Sequence, residues 1–500
     1  MKKFYALLLV VLTTFLCVSC GGENDEKVIR FTVRSGLVSA ALTDLVAEFQ
    51  ESGIFEEHNL DYEIEIDAIT GGYDDLRTAI IYDIGSQNAP DLVIGYPDHF
   101  AEYFNGGALV NLQEFINDPK VGYTEEEMAD FVDSYIAENK GYNSTQPDDL
   151  YGLPFNKSTE VLIYNKTAFI ALFGEENYLS KIPTTWAEVE VLGNEIISLV
   201  KEGKLDNIWV ESTDIDENKN EVINYLKVSD YLKEDSKSPF YPFGYDSSDN
   251  AFITLLRQFG GKYTERVRVN KGYTLFNLPE NIETTKKMLA HFADLSTRKL
   301  FANATTFNGS YCSDAFKIIR CLMTVGSSAG VGYNASDKYP YELAMAPIPY
   351  YDGGEGEPVK YVIQQGTNIA MLNHNTEEKR LACWLFMKYL LEPANTAKFA
   401  IATGGYLPVR ESAYETDLYK EFLTNPTADK VHYSQVAHVA LDYLNEGYTF
   451  FVDDAFVGSA KIRSESGAIF DSVVILHEDA EARIKSAVNT LGGSFIKPAA

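Results

Sequence analysis

The sequence predicts an α/β protein of two lobes, and three observations carry that prediction. Between residues 28 and 95, apolar residues recur first at every second position, then at every third or fourth, in the order strand, helix, strand, helix, strand. That order builds a mostly parallel sheet covered by helices. The chain has 500 residues, too many for one ordinary core, so two or more domains are expected. The third observation is the stretch from 151 to 169. A polar knot, Asn156-Lys157-Ser158-Thr159, stands at the mouth of the apolar run Val161-Leu162-Ile163-Tyr164. It reads as a buried strand that carries the chain from one lobe to the other.

The elements follow in order. Residues 28–34 alternate, with Phe31 and Val33 on one face, as a first strand. Leu42, Leu45, Val46 and Phe49 give 39–50 helical spacing. Residues 62–66 form a second strand; 74–84 are a helix, broken at Ala89-Pro90 before a short buried strand at 91–95. Parallel sheets bind ligands at the carboxyl ends of their strands. The loops at those ends are Ser35-Gly36, Gly71-Gly72-Tyr73 and Tyr96-Pro97-Asp98. Residues 123–140 read as one acidic amphipathic helix. Thr185 is placed to cap a helix over 187–200. Residues 203–246 are polar and short of apolar periodicity, as in a surface insertion. Helices are expected at 251–259 and 283–295, and strands at 321–325, 343–348 and 359–363. A helix over 377–391 ends before Pro393, a glycine-rich turn covers 403–408, and helices fill most of the remainder.

The first twenty residues read as a targeting signal: Lys2 and Lys3, a short apolar run, then Leu16-Cys17-Val18-Ser19-Cys20. The run is too short to span a bilayer. The last five residues resemble a bacterial lipobox, with Cys20 as the lipidated first residue of the mature chain and 21–27 as its tether. A plain secretory signal with an incidental Cys is the alternative. No other segment is long and apolar enough to cross a membrane.

The formal charge is −31, from 73 acidic and 42 basic side chains. That argues against nucleic acid, whose phosphates demand a basic face. Tyr (32) and Phe (29) are abundant, which suits a site that stacks on sugars or other polar organic molecules. Cys312, Cys321 and Cys383 remain after the signal; free thiols are expected over a Cys312–Cys321 bridge. The seven His are scattered without metal-ligand spacing, so no zinc is expected.

Three patterns admit sharper readings. Gly326-x-Ser328-x-Gly330 after a strand matches a nucleophile elbow, with Asp352, Asp442, His374 or His477 as partners by order alone. The elbow needs a helix directly after the Ser, and Val331-Gly332-Tyr333-Asn334 is a poor one. A ligand loop is the better reading. Asp214-x-Asp216-x-Asn218-x-Asn220 has the alternating oxygens of a calcium loop, but lacks its glycine, and Tyr225 stands in place of the closing Glu. A solvated acidic loop fits better. Arg463 reads by itself as an exposed helix cation, and Trp186 and Tyr406 read as packing residues.

Seven segments taken together resemble the solute-binding proteins of ABC importers, in the carbohydrate and glycerol-3-phosphate uptake group. They are Asn88-Ala89-Pro90-Asp91, the run from Gly106 to Leu112, Leu153-Pro154-Phe155-Asn156-Lys157-Ser158-Thr159 leading to Tyr164-Asn165-Lys166, and Pro183-Thr184-Thr185-Trp186. Phe307-Asn308-Gly309 with Met323, Ala346-Pro347-Ile348-Pro349, and Thr403-Gly404-Gly405-Tyr406-Leu407-Pro408 complete the set. The resemblance implies a two-lobed periplasmic-binding-protein-like (type II) fold with a hinge. Lobe I would hold 28–160 and 343–390, lobe II 161–342 and 391–500, with crossovers near 160–164, 339–343 and 389–393. It implies no enzyme activity and no cofactor. The partners it implies are a small sugar or polyol phosphate and the permease subunits, with a monomeric receptor held to the cell membrane by its lipid.

The same resemblance carries ligand contacts onto Tyr73, Ser158, Trp186, Ser328, Gly366, Tyr406 and Arg463. Arg463 would clamp a phosphate, and Trp186 would stack on the glycerol or sugar face. An acidic contact expected after the third strand falls at Pro97 or Asp98, and Gln364-Gln365-Gly366 stands where a glycine pair is expected. An exported hydrolase, either an esterase using Ser328 or a carboxylate glycosidase, is the competing class. A surface adhesin rests only on the acidic insertion.

Overall fold

The computed structural model describes residues 27–215, 219, 221–234, 236, 238–309, 311–353 and 359–498. The signal segment with Cys20, most of the tether, and Asp216, Asn218 and Asn220 of the oxygen pattern lie outside the described residues. Among the described residues, fourteen strands follow in chain order. They are β1 (Val28–Arg34), β2 (Glu63–Ile69), β3 (Leu92–Gly95), β4 (Leu153–Asn165), β5 (Trp209–Ile215), β6 (Glu221–Lys227) and β7 (Phe243–Tyr245). The rest are β8 (Thr264–Arg268), β9 (Lys271–Thr274), β10 (Phe301–Asn303), β11 (Met323–Ser327), β12 (Leu343–Ala346), β13 (Tyr361–Met371) and β14 (Thr449–Phe451).

Ten of these strands form one continuous sheet in the order β10-β7-β11-β4-β13-β3-β1-β2, with β12 on β4 and β14 on β13. β1 pairs in parallel with β2 and β3, and β7 in parallel with β10 and β11. The helices Leu37–Glu51 and Tyr73–Asp83 connect β1, β2 and β3, as the alternating pattern requires. Two long antiparallel strands, β4 and β13, run through the middle and belong to both ends of the sheet. The first half of β4 pairs with β13 and its second half with β11 and β12. Every residue of β4 is buried, the polar Asn156, Lys157, Ser158, Thr159 and Glu160 as well as the apolar run that follows them.

Two main cores flank these strands. One gathers Ile29 to Phe155 and Ile369 to Val409, and the other gathers Val161 to Ile363 and Val436 to Leu491, apart from Val269. The lobe boundaries expected from resemblance therefore move in two places. Leu343, Ile348 and Val362 pack in the second core, so the return crossing lies within β13 and not near 339–343. The helix Pro393–Thr403 stays with the first core, where Phe399 packs on Phe155 with ring centroids 4.7 Å apart. Pro393 ends one helix but starts the next at its first turn, so it marks no lobe boundary.

Two further expectations change. The helix expected over 123–140 is two short ones, Glu125–Ala129 and Asp133–Ala137. The break forms because Val132 N–H bonds Val409 O at 3.1 Å and Arg410 Nε donates to Asp130 at 2.7 Å. The segment 203–246 is not all surface: β7 lies inside the main sheet, and Val210, Val228, Tyr231 and Phe240 are buried. Its buried residues are scattered among exposed apolar ones such as Trp209, Ile223 and Tyr225, so no face repeats at a fixed period. The two thiols Cys312 and Cys321 are buried and unbridged. Among the described residues no helix is long and apolar enough to cross a membrane.

Candidate functional site

A cleft of about 1090 Å³ opens where the two cores meet across β4 and β13. The loops at the carboxyl ends of β1, β2 and β3 line one side through Arg34, Tyr73, Tyr96 and Asp98. Ser158, Gln364, Gln365 and Gly366 of the crossing strands contribute from between the cores. Asp246, Asp249, Asn250, Ser327, Asn334, Asp453 and Arg463 come from the second half.

On the first side a hydroxyl chain fixes the aromatic surface. Tyr73 and Tyr406 share a hydrogen bond of 2.9 Å between hydroxyls, and Asn156 Nδ2 donates to Tyr73 Oη at 3.1 Å. Tyr96 meets the Tyr73 ring edge-on at 4.9 Å, and Arg34 lies over it at 5.5 Å. Tyr73 is the first residue of its helix, capped by Gly72 N–H bonding Asp75 at 2.7 Å. Burial pushes the Tyr73, Tyr96 and Tyr406 hydroxyls above their ordinary range, so they stay protonated and can donate.

Gly366 is required by its backbone. Its φ is +95°, and a Cβ there would sit 2.0 Å from Asn156 O on the neighbouring strand. Beside it Lys157 is fully buried, ion-paired to Glu138 and donating to Gly366 O at 3.2 Å. Glu138 also accepts from Gln364 Nε2 at 2.6 Å and Asn368 Nδ2 at 2.8 Å. A buried pair needs such extra donors to offset its desolvation.

On the second side Arg463, from the helix Ser459–Phe470, is already paired. Its Nε meets Asp249 Oδ2 and its Nη1 meets Asp453 Oδ2, each at 2.6 Å, and Nη2 donates to Asn250 Oδ1. Burial would raise Asp249, but the charge of Arg463 and bonds from Ser247 and the Asn250 backbone hold it below the usual range. Burial prevails at Asp453, pushed up to about 6 against the pull of Arg463. Nearby Glu160 accepts from Tyr245 Oη at 2.6 Å and is pushed up to about 7, chiefly by burial. Among the described residues, nine acidic side chains line the cleft against three basic ones, Arg34, Lys317 and Arg463.

Of the contacts carried over by resemblance, Tyr73, Asp98, Ser158, Gly366, Tyr406 and Arg463 meet in this cleft. Trp186 does not. It is fully buried, donates to Gln258 Oε1 at 2.8 Å, and packs among Phe243, Phe292 and Phe301. Thr185 and Glu188 form a reciprocal capping box that starts the helix at Trp186. Ser328 is also withdrawn: its hydroxyl donates to Gly405 O at 2.8 Å and accepts from Thr159 N–H at 3.2 Å. A Cβ on Gly405 would meet Ser328 O at 2.2 Å, so the Gly404-Gly405 turn serves close packing. A 3₁₀ turn, Ser328–Asn334, follows β11 where a nucleophile elbow needs a helix. The esterase reading fails on that geometry. Ser327, one residue earlier, lines the cleft instead. Sequence reasoning missed Asp249, Asn250 and Asp453, which reach Arg463 from elsewhere in the chain and carry no spacing signal. Among the described residues no group of His, Cys, Asp and Glu could hold a metal ion.

Two cores, a cleft between them and two strands passing through both define the architecture of a two-lobed binding protein. The profile of the bacterial extracellular solute-binding proteins matches residues 45–427. The chain belongs to that family, and its place is outside the cytoplasm. A glycerol-3-phosphate-binding periplasmic protein, UgpB of Salmonella typhimurium, is 23% identical over 378 residues, covering 75% of this chain and 74% of that protein. UgpB of Escherichia coli K12 is 23% identical over 385 residues, with the same coverage. Among solved structures, UgpB of Mycobacterium tuberculosis with glycerophosphocholine superposes at a TM-score of 0.67 and 20% identity, covering 93% of this chain and 97% of that one. The maltose-bound MalE3 of T. maritima superposes at 0.64 and 14% identity, covering 93% and 98%. Both share this fold.

Proposed function

We propose that the chain is the lipid-anchored receptor of an ABC importer and that its solute is rich in hydroxyl groups, a sugar or polyol, in preference to a free phosphate ester. The observation that carries the preference is the pairing of Arg463. Its guanidinium is shared between Asp249 and Asp453, so a phosphate would have to displace carboxylates already in place, in a cleft with a threefold excess of acids. Carboxylates and tyrosine hydroxyls suit sugar hydroxyls, and the faces of Tyr73, Tyr96 and Tyr406 suit the apolar faces of sugar rings. The cleft volume accommodates a disaccharide as readily as a monosaccharide. Closing of the halves on the solute, hinged at β4 and β13, would give the permease a shape to recognise.

The test is calorimetry on the chain lacking its first twenty residues, against maltose, mannobiose, D-tagatose, glycerol 3-phosphate and glycerophosphocholine. Heat with at least one saccharide and none with glycerol 3-phosphate is expected. Heat from glycerol 3-phosphate alone would overturn the preference and return Arg463 to a phosphate clamp. Anchoring is tested separately: Cys20→Ser should release the chain from the membrane fraction.

A further inference from the structure

A buried polar atom without a partner is costly, and a group of them in a ligand cleft indicates what the ligand supplies. Among the described residues, four such atoms belong to side chains lining the cleft: Asn334 Oδ1, Gln364 Oε1, Gln365 Oε1 and Asp453 Oδ1. All four are oxygens. The unpartnered buried nitrogens, such as Arg257 Nε and Asn165 Nδ2, lie outside the cleft lining, as do further oxygens such as Asn139 Oδ1 and Asn277 Oδ1, so the unpartnered buried atoms of the cleft itself are acceptors only.

The orientation of the Gln364 amide is fixed by its surroundings. Its Nε2 donates to Glu138 Oε2 at 2.6 Å and to Ser134 O at 3.2 Å; reversing it would set oxygen against oxygen. Asn334 Nδ2 is likewise turned to the carbonyls of Gly330 and Val331, at 3.4 Å each. Asp453 binds Arg463 through Oδ2 and keeps Oδ1 unpartnered. Gln365 stands directly opposite Ser158 in the β13–β4 pair, so these two side chains share one face between the halves.

From this one-sided pattern we infer that Asn334, Gln364, Gln365 and Asp453 determine specificity. They accept hydrogen bonds from hydroxyl or N–H groups of the solute, and they reject a solute that offers only acceptors there, a phosphate ester above all. The inference rests on the sugar-receptor reading and deepens it. Gln364 and Gln365 also belong to the stretch Gln364-Gln365-Gly366 that stands where the resemblance leads one to expect a glycine pair.

The experiment compares wild type, Gln364→Met, Gln365→Met and Asp453→Asn by calorimetry against maltose, mannobiose, D-tagatose and glycerol 3-phosphate, with thermal unfolding of each variant. Each Met variant should bind the tightest of these saccharides about 5- to 10-fold more weakly. A monodeoxy analogue lacking the contacted hydroxyl should lose affinity for wild type but bind wild type and that Met variant alike. Asp453→Asn, which adds a donor and leaves Arg463 with one carboxylate fewer, should gain affinity for glycerol 3-phosphate. Unchanged saccharide affinity in both folded Met variants overturns the inference and leaves the sugar-receptor reading standing. If either Met variant does not fold, the deoxy series on wild type decides, and it overturns the inference when no single deoxygenation costs affinity. Wild type that binds glycerol 3-phosphate and none of the saccharides overturns both.

Discussion

Replacing Glu160 with Gln should stabilise the protein at neutral and alkaline pH and leave it unchanged in acid. Glu160 lies on β4, is 1% exposed, and has one carboxylate oxygen bonded by Tyr245 and the other without a partner. Burial raises its pKa from 4.5 to about 7, and Asp249 adds to the rise. Below pH 4.5 the acid is protonated in folded and unfolded chains alike, so it contributes no pH-dependent difference. Between pH 4.5 and 7 the unfolded chain releases its proton while the folded chain keeps it, so stability falls as pH rises. Above pH 7 the full cost is present. At roughly 1.4 kcal/mol per pH unit, the gap amounts to about 3 kcal/mol. Gln keeps a carbonyl for the Tyr245 hydroxyl and carries no charge to desolvate. Guanidinium denaturation at pH 4.5, 6 and 8 should show the variant gaining on wild type as pH rises, by about 3 kcal/mol at pH 8. A difference independent of pH, or a variant weaker than wild type at pH 8, would refute the argument that the buried carboxylate is held at a cost.

Three further substitutions test the site and its frame. Trp186→Ala should lower stability by about 3–5 kcal/mol while leaving saccharide affinity of the folded fraction unchanged; lost affinity without lost stability would restore a stacking role. Gly366→Ala must place a Cβ against Asn156 O at φ +95°. It should lower the melting temperature and weaken binding together, and a variant that melts like wild type would contradict the close approach. Lys157→Met leaves Glu138 buried without its cation and should cost about 3–5 kcal/mol. Adding Glu138→Gln to it should recover most of that loss in chemical denaturation, and no recovery would mean the pair is not the cause.

The local order of this protein was legible because short-range rules set it. The pattern of Phe31 and Val33, then Leu42, Leu45, Val46 and Phe49, predicts β1 and its following helix within two residues of their observed ends. The loops that line the first side of the cleft follow from where those strands end. The helix at Thr185 was legible from its cap, but the destination of Trp186 was not, because an aromatic at a helix start points wherever the neighbouring elements leave room. The segment 203–246 misled for a related reason: Phe243 and Tyr245 enter the sheet as a three-residue strand, too short to show a period.

The sequence by itself determined an α/β chain, a crossing strand within 151–169 and tyrosine-bearing loops at the strand ends. Only the tertiary structure decided what each polar group there faces. Arg463 changes from a free cation to a paired one because Asp249 and Asp453, from different segments of the chain, meet it. Lys157 becomes buried because Glu138 turns in from a helix that breaks to pair with residues 409–410. Ser328 leaves the cleft because a turn 77 residues later accepts its hydroxyl. Periodicity and capping act over a few residues, whereas desolvation and charge pairing depend on whichever segments folding brings together.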